Sequence, residues 1–358
     1  MNDNFQNRYY ESNESPGYYE LYTEQKVREA KAVFSRYHLG LFLYTAVAYA
    51  VILIAQILVL LIMGQEKGTA VFDNVYVEWL MGVGPMYFIG FPIFYLIIKG
   101  MKKRTYEKRK LGIGEWLVLF LMAEGAMMAG NIIGTTLNTF MSAILRREIS
   151  NATLELIESS PLWLIILVVV IIGPIIEELL FRKFMIDRLG RYGDTIAITV
   201  SAVAFGLFHG NFYQFFYAAM LGLILGYIYT RTGNWIYTCI MHMIINFMGS
   251  VLVIPIIKLS EKITQMDTLI TEGAKIDLVD YIRSVIIVAS YSVIEYALAF
   301  AGIALIIIFA SKRMIKINKD CEYRIPRYRT AGVIFGNVGV ILFLILSLVM
   351  FGMSIFIA

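Results

Sequence analysis

The sequence is poor in charge, in proline and in cysteine. Charged residues make up only 16% of its 358 positions, against about 25% in a typical soluble protein, which argues against a water-soluble enzyme. Its 28 glycines and 7 prolines are too few for a collagen-like or low-complexity chain, and its 2 cysteines cannot build a disulfide scaffold. Apolar surface is abundant instead: 59% of the residues are hydrophobic and the mean hydropathy is +0.69, as in a polytopic membrane protein.

The apolar residues form blocks long enough to cross a bilayer, which takes about 20 residues because the hydrocarbon core is roughly 30 Å thick. The blocks predict an all-α polytopic membrane protein with about nine transmembrane helices, or eight if one short block does not span. The predicted spans are 39–63, 79–98, 115–137, 161–181, 195–209, 212–230, 234–257, 284–310 and 332–357.

Lysine and arginine residues concentrate in three predicted loops, at 99–110, 182–194 and 312–329. With nine spans these loops fall on one side, and the more acidic loops at 64–78 and 258–281 fall on the other. By the positive-inside rule, we expect a multi-pass protein of a bacterial cell membrane with a cytoplasmic N-terminus. Topology alone accounts for the basic loops, so we expect no nucleic-acid partner.

The chain divides by composition into a polar tail, two flanking helical regions and a core. Residues 18–37 are predicted to form an interfacial helix with Tyr18, Tyr19, Tyr22 and Phe34 on its apolar side, the alternative being a mobile tail. The predicted regions are 1–37 (cytoplasmic tail), 38–150 (N-terminal helices), 151–257 (catalytic core) and 258–358 (an extra loop and the C-terminal helices).

Ionisable residues inside apolar spans cost several kcal/mol and are functional candidates. The first group is Glu177, Glu178 and Arg182, at the end of a long apolar run. On a helix Glu178 and Arg182 are four residues apart and can pair, whereas Glu177 lies about 100° away and is free to face a cavity. The alternative interpretation is a charged helix end at the membrane surface.

Two further groups follow on later predicted helices. Phe205 precedes His209 by one turn, and Gly206 and Gly210 have the spacing that lets helices approach closely. The alternative is an interfacial histidine beside a turn.

His242 and Asn246 are four residues apart, so they share one face of a strongly apolar helix, where both need hydrogen-bond partners. The alternative is a polar contact that only holds two helices together. By a rise of 1.5 Å per residue, Glu177 and His209 lie at the same height, roughly 24 Å above the turn between them. His242 falls short of that height by roughly 10 Å, a gap that helix tilt or a kink at Pro174 would close.

The three motifs E-E-x-x-x-R, F-x-x-x-H and H-x-x-x-N on successive membrane helices resemble the CAAX-processing and bacteriocin-processing protease family, which includes the type II CAAX prenyl endopeptidases. The resemblance covers about residues 155–255. The residues that carry it are Glu177, Glu178, Arg182, Phe205, His209, His242 and Asn246.

This resemblance implies an intramembrane endopeptidase whose site lies among the fourth, fifth and seventh predicted helices. It implies that Glu177 and His209 activate a water and that His242 and Asn246 stabilise the oxyanion, with Glu178, Arg182 and Phe205 in support. The implied partners are a peptide or membrane-protein substrate and the lipid bilayer, with a homo-oligomer or an accessory membrane protein also conceivable.

The implied mechanism is of glutamate type or of metallo type. Two histidines and a carboxylate, here His209, His242 and Glu177, with a water in the open position are a catalytic zinc set. The helical H-E-x-x-H pattern of soluble zinc proteases does not occur in the sequence. Zinc therefore stays an open cofactor, and no other cofactor is implied.

Two other classes of protein remain open. The first is a non-catalytic membrane binder, such as an immunity or scaffold protein on the same fold. The second is a transporter or channel, in which Glu124, Asn131 and Glu295 would form a proton relay; our preferred interpretation of these three is interhelical hydrogen bonding. Cys239, close to His242, is more simply a packed thiol than a nucleophile.

Overall fold

The computed structural model describes the backbone of residues 16–356 and the side chains of residues 23–356. The described chain is all-helical, as predicted. The helices are α1 Pro16–Met63, α2 Gln65–Phe72, α3 Val75–Ile98, α4 Ile113–Leu145, α5 Ala152–Ser159, α6 Leu162–Tyr192, α7 Asp194–Phe208, α8 Phe212–Thr232, α9 Trp235–Thr271, α10 Leu278–Ser311, α11 Arg327–Ile334 and α12 Val338–Phe356.

Within the described residues, 8 helices are long and apolar enough to cross a membrane, so the chain is an integral multi-pass membrane protein. They are α1, α3, α4, α6, α8, α9, α10 and α12. The additional predicted span, 195–209, is the short helix α7. At 1.5 Å per residue α7 is about 22 Å long, less than the roughly 30 Å hydrocarbon core.

Three predicted boundaries were wrong. Residues 258–271 continue α9 rather than forming a loop, because Leu259, Ile263, Met266 and Ile270 repeat at helical spacing. Residues 182–192 continue α6 in the same way. The predicted last span is broken between α11 and α12 at 335–337.

The helices that carry the three motifs pack as neighbours. α7 lies between the C-terminal half of α6 and α8, α8 also packs along α4, and α9 contacts α6. The predicted close approach at the glycines is confirmed. A Cβ atom on Gly206 would lie 2.6 Å from the Phe215 carbonyl oxygen, and one on Gly210 would lie 2.5 Å from Met350 of α12.

The three basic loops meet at one end of the bundle, as the sequence predicted. There Arg104 donates to Asp194 (3.0 Å) and Tyr106 donates to the same carboxylate (2.7 Å), while Tyr229 donates to Asp187 (2.5 Å). We call these five residues the loop clamp. Arg104 also reaches the third basic loop, through the Asp320 carbonyl at 2.7 Å.

Two basic residues assigned to a loop are instead inside the protein. Arg182 is 0% and Arg188 is 5% exposed, because Arg182 pairs with Glu178 and Arg188 donates to the carbonyls of Phe184 and Ile98. At the N-terminus, Phe34 packs in the core against Tyr192. Residues 1–15, and the side chains of Tyr18, Tyr19 and Tyr22, lie outside what the structure describes.

Candidate active site

The backbone of α6 departs from a regular α-helix on both sides of the glutamate pair. Residues Ile166–Ile172 and Glu178–Ile186 are π-helical, a form that is rare and frequent at functional sites. The Gly173 N–H is directed to the Val168 carbonyl, and Pro174 has no N–H. The Val169 carbonyl therefore receives no N–H from α6, neither from the residue four positions later nor from the residue five positions later.

Asn246 of α9 supplies the missing donor, since its Nδ2 lies 2.9 Å from the Val169 oxygen. This hydrogen bond ties α9 to α6 at the level of the site, which is the helix-joining role considered for Asn246. An amide NH₂ group carries two donor hydrogens, so the second remains available to the site.

Glu178 and Arg182 form the predicted ion pair, with Arg182 Nε 3.3 Å from Glu178 Oε2 and both side chains 0% exposed. The contact is electrostatic and does not have hydrogen-bond geometry. Glu178 Oε2 and all three guanidinium nitrogens of Arg182 have no hydrogen-bond partner among the described residues. Each buried donor or acceptor left in this way costs about 1–3 kcal/mol.

His242 lies between the two carboxylates. Its Nδ1 is 3.1 Å from Glu178 Oε1 and its Nε2 is 3.5 Å from Glu177 Oε2. The histidine is 4% exposed and Glu177 retains 19%, so Glu177 is the accessible end of the chain Arg182–Glu178–His242–Glu177. We call these four residues the site cluster.

Phe205 holds both histidines and the arginine against one ring. The Arg182 guanidinium lies over the ring at 4.3 Å, a cation–π contact. The rings of His209 and His242 meet it edge-on, at centroid distances of 5.1 and 5.6 Å. The phenylalanine of the F-x-x-x-H motif therefore orders the site from its apolar side.

The structure brings His242 rather than His209 into contact with Glu177. Within the described part of the chain, no hydrogen bond or ion pair joins Glu177 to His209. The predicted 10 Å height gap for His242 is absent, since its ring lies between both carboxylates.

Three tyrosines around Glu177 were missed by sequence reasoning. Tyr44 of α1, Tyr87 of α3 and Tyr217 of α8 all lie within electrostatic reach of its carboxylate. Tyrosines are common in membrane spans, so the signal that could have found them is weak.

A catalytic zinc ion takes three protein ligands and keeps one open position. Among the side chains of residues 23–356, no group of three or more His, Cys, Asp or Glu residues is arranged as a metal site. His242 Nε2 and Glu177 Oε2 lie 3.5 Å apart, and no described contact joins His209 to Glu177.

The polar residues proposed for a relay lie elsewhere. Glu124 of α4 and Glu295 of α10 face each other electrostatically between their helices, and Asn131 Oδ1 accepts from Thr135 one turn along α4. None of these contacts is a hydrogen bond between helices, and Glu124 Oε1 has no hydrogen-bond partner among the described residues. Cys239 is 4% exposed and unpaired, as a packed thiol would be.

The fold and the site together define a multi-pass membrane protein with a buried carboxylate–histidine centre. Residues 159–248, which contain the whole site cluster, match the sequence model of the family described as "Type II CAAX prenyl endopeptidase Rce1-like". Over 185 residues the chain is 29% identical to the "Putative membrane peptidase YdiL" of Bacillus subtilis (strain 168), covering 50% of this chain and 74% of that protein. No solved structure matches the chain.

Residues 159–248 are therefore similar to the CAAX-processing protease family. The resemblance predicted from the three motifs is confirmed, and the class of activity it supports is that of a membrane peptidase. The helices before residue 159 and after residue 248 lie outside the matched domain.

Proposed function

We propose that this protein is an intramembrane endopeptidase in which Glu177 activates the attacking water. The observation that carries the proposal is the unbroken chain from Arg182 through Glu178 and His242 to Glu177, buried among membrane helices. A structural ion pair would end at Glu178. Here the chain continues to a second carboxylate that is partly accessible.

The geometry gives each member a defined task. Arg182 keeps Glu178 ionised, and the carboxylate of Glu178 accepts the Nδ1–H of His242 and so fixes its tautomer, as a second partner does in other histidine centres. Nε2 of His242 then faces Glu177. Positive charge that develops on the imidazole is stabilised by a carboxylate on each side.

The reaction follows general base catalysis. Glu177 takes a proton from water as the water oxygen attacks the peptide carbonyl carbon. The oxyanion is held by donors of His209 and by the second amide hydrogen of Asn246. The proton shared by Glu177 and His242 then passes to the leaving nitrogen as the C–N bond breaks, which restores both groups.

The substrate class follows from the family, whose description names prenyl endopeptidases. We propose a peptide or a segment of a membrane protein as substrate. We propose the glutamate type of mechanism rather than the metallo type, because no group of three or more His, Cys, Asp or Glu residues among the described side chains is arranged as a metal site.

Peptide termini measured by mass spectrometry in cells test this proposal. Cells would carry the native protein, Glu177→Gln or the control Glu155→Gln, an exposed glutamate of α5, at matched expression. Specific termini should disappear in Glu177→Gln and persist in Glu155→Gln. Identical termini in all three would favour the non-catalytic binder.

A further inference from the structure

A cavity of about 210 Å³ reaches the candidate site from one end of the bundle. His209 is the one member of the predicted catalytic set that lines it. Met353 and Ser354 of α12 and Thr153 of α5 are among the residues that line the rest. The cavity therefore adjoins His209, which makes no contact with Glu177 among the described residues.

The cavity opens at the end of the molecule opposite the loop clamp. α7 begins at Asp194, which belongs to the loop clamp, and ends next to His209. Its 15 residues separate these two points by about 22 Å. The cavity therefore opens on the face away from the lysine- and arginine-rich loops.

A line of polar side chains on α8 runs from the rim of the cavity to Tyr217. Asn211 Nδ2 donates to Gln214 Oε1 at 2.7 Å, and Gln214 Nε2 donates to the Tyr217 hydroxyl at 3.2 Å. Tyr217 lies within electrostatic reach of Glu177. Polar groups at i and i+3 share a helix face, so this face is polar from the rim inward.

The rim itself is fixed in place. The Tyr213 hydroxyl donates to the Ile149 carbonyl at 2.9 Å, and Thr153 Oγ1 donates to Gln214 at 3.5 Å. These bonds attach the segment before α5, and the first turn of α5, to the beginning of α8. The opening is thus built from the same helix that carries the polar line.

We infer that the substrate reaches Glu177 through this cavity as an extended peptide segment exposed on the face opposite the basic loops, and that the attacking water takes the same route. This inference rests on the proposed function. The cavity is smaller than the roughly 300–1,000 Å³ of pockets for drug-sized ligands, so its volume suits a narrow extended segment better than a helix about 10–12 Å across. The flexible side chains of Met350 and Met353 adapt to different residues.

Vesicles in which the protein has a known orientation test from which face of the membrane the substrate enters. Quenched fluorescent peptides of random sequence are added outside sealed vesicles of either orientation, and labelling of the native Cys321, in a basic loop, reports which face is outward. We expect cleavage at least tenfold faster when the basic loops face inward. Equal rates, or faster cleavage from the basic-loop face, would overturn the inference.

A matched pair of cysteine variants tests the cavity itself. Ser354→Cys lies in the cavity wall and Ser159→Cys on the exposed side of α5, and each native hydroxyl donates to the carbonyl three residues earlier. Both are made with Cys321→Ser, and a bulky charged thiol reagent is added. Labelling, read as a mass shift, should lower the peptidase rate of Ser354→Cys at least tenfold and that of Ser159→Cys less than twofold.

Glu177→Gln in the same assays separates two failures. If cleavage requires Glu177 but labelled Ser354→Cys stays fully active, the access route is wrong and the proposed function stands. If Glu177→Gln cleaves as fast as the native protein, the proposed function fails and the inference fails with it.

Discussion

The site cluster and the loop clamp are two charged networks built on the same region of α6–α9, yet their hydrogen bonding differs. In the loop clamp each of Asp187 and Asp194 accepts from a tyrosine hydroxyl and pairs with a cation. In the site cluster four polar atoms of Glu178 and Arg182 have no hydrogen bond among the described residues. A network made for stability satisfies its members. The loop clamp fits this description, and the site cluster is the network to which we assign the proposed function.

The surroundings of Tyr106 illustrate the structural network. Burial first, and then the neighbouring charge of Asp194, raise the pKa of the Tyr106 hydroxyl well above its ordinary range. The phenol therefore stays protonated and keeps donating to Asp194. Its contribution to stability is present at neutral pH and is lost only when the pH rises through the raised pKa.

The largest expected effect is that of His242→Ala. Removing the group between the two carboxylates should lower the peptidase rate by about 10²–10⁴-fold, the range of a lost acid–base partner. Rates of purified protein in lipid nanodiscs measure this, with a thermal unfolding curve to show that the variant folds. A rate within threefold of the native protein would contradict the role of His242.

Arg182→Met should lower the free energy of unfolding by about 3–5 kcal/mol, because it leaves Glu178 as an uncompensated buried charge. Unfolding in detergent, followed by circular dichroism, measures the change. The double variant Arg182→Met with Glu178→Gln removes that charge and should recover at least half of the loss. A double variant as unstable as Arg182→Met alone would show that the charge is not the cause.

Tyr106→Phe tests the other side of the comparison. It removes one hydrogen bond of the loop clamp and should cost about 1 kcal/mol of stability while the peptidase rate stays within twofold of the native value. Thermal unfolding and the nanodisc assay measure both quantities on one preparation. A large loss of rate without loss of stability would make the loop clamp part of the site.

The smallest effect is expected from Glu124→Gln and Glu295→Gln. Both residues lie between α4 and α10 outside the site cluster, so each substitution should change the peptidase rate less than tenfold. The same assay measures the effect. Abolished activity in either variant would revive a proton relay through these carboxylates.

Local spacing predicted part of this site correctly. The four-residue interval between Glu178 and Arg182 predicted their pair, because helix geometry holds over one turn even where the hydrogen bonding is irregular. The convergence of the glutamates with His242 followed from the family resemblance rather than from helix arithmetic.

What sequence reasoning missed depends on the irregular backbone of α6. Pro174 leaves the Val169 carbonyl without a helical donor, and the π-helical turns change the height of each residue. Neither the contact of His242 with both carboxylates nor the hydrogen bond of Asn246 follows from a regular helix. The tyrosines near Glu177 come from α1, α3 and α8, and only the tertiary packing brings them together.

The most direct test of the central claim is peptide hydrolysis by the purified protein in nanodiscs, native against Glu177→Gln. With the random quenched peptides as substrate, the native protein should cleave, and Glu177→Gln should be slower by about 10²–10⁴-fold with an unchanged unfolding temperature. A folded Glu177→Gln variant that cleaves at the native rate would contradict the assignment of this carboxylate as the base.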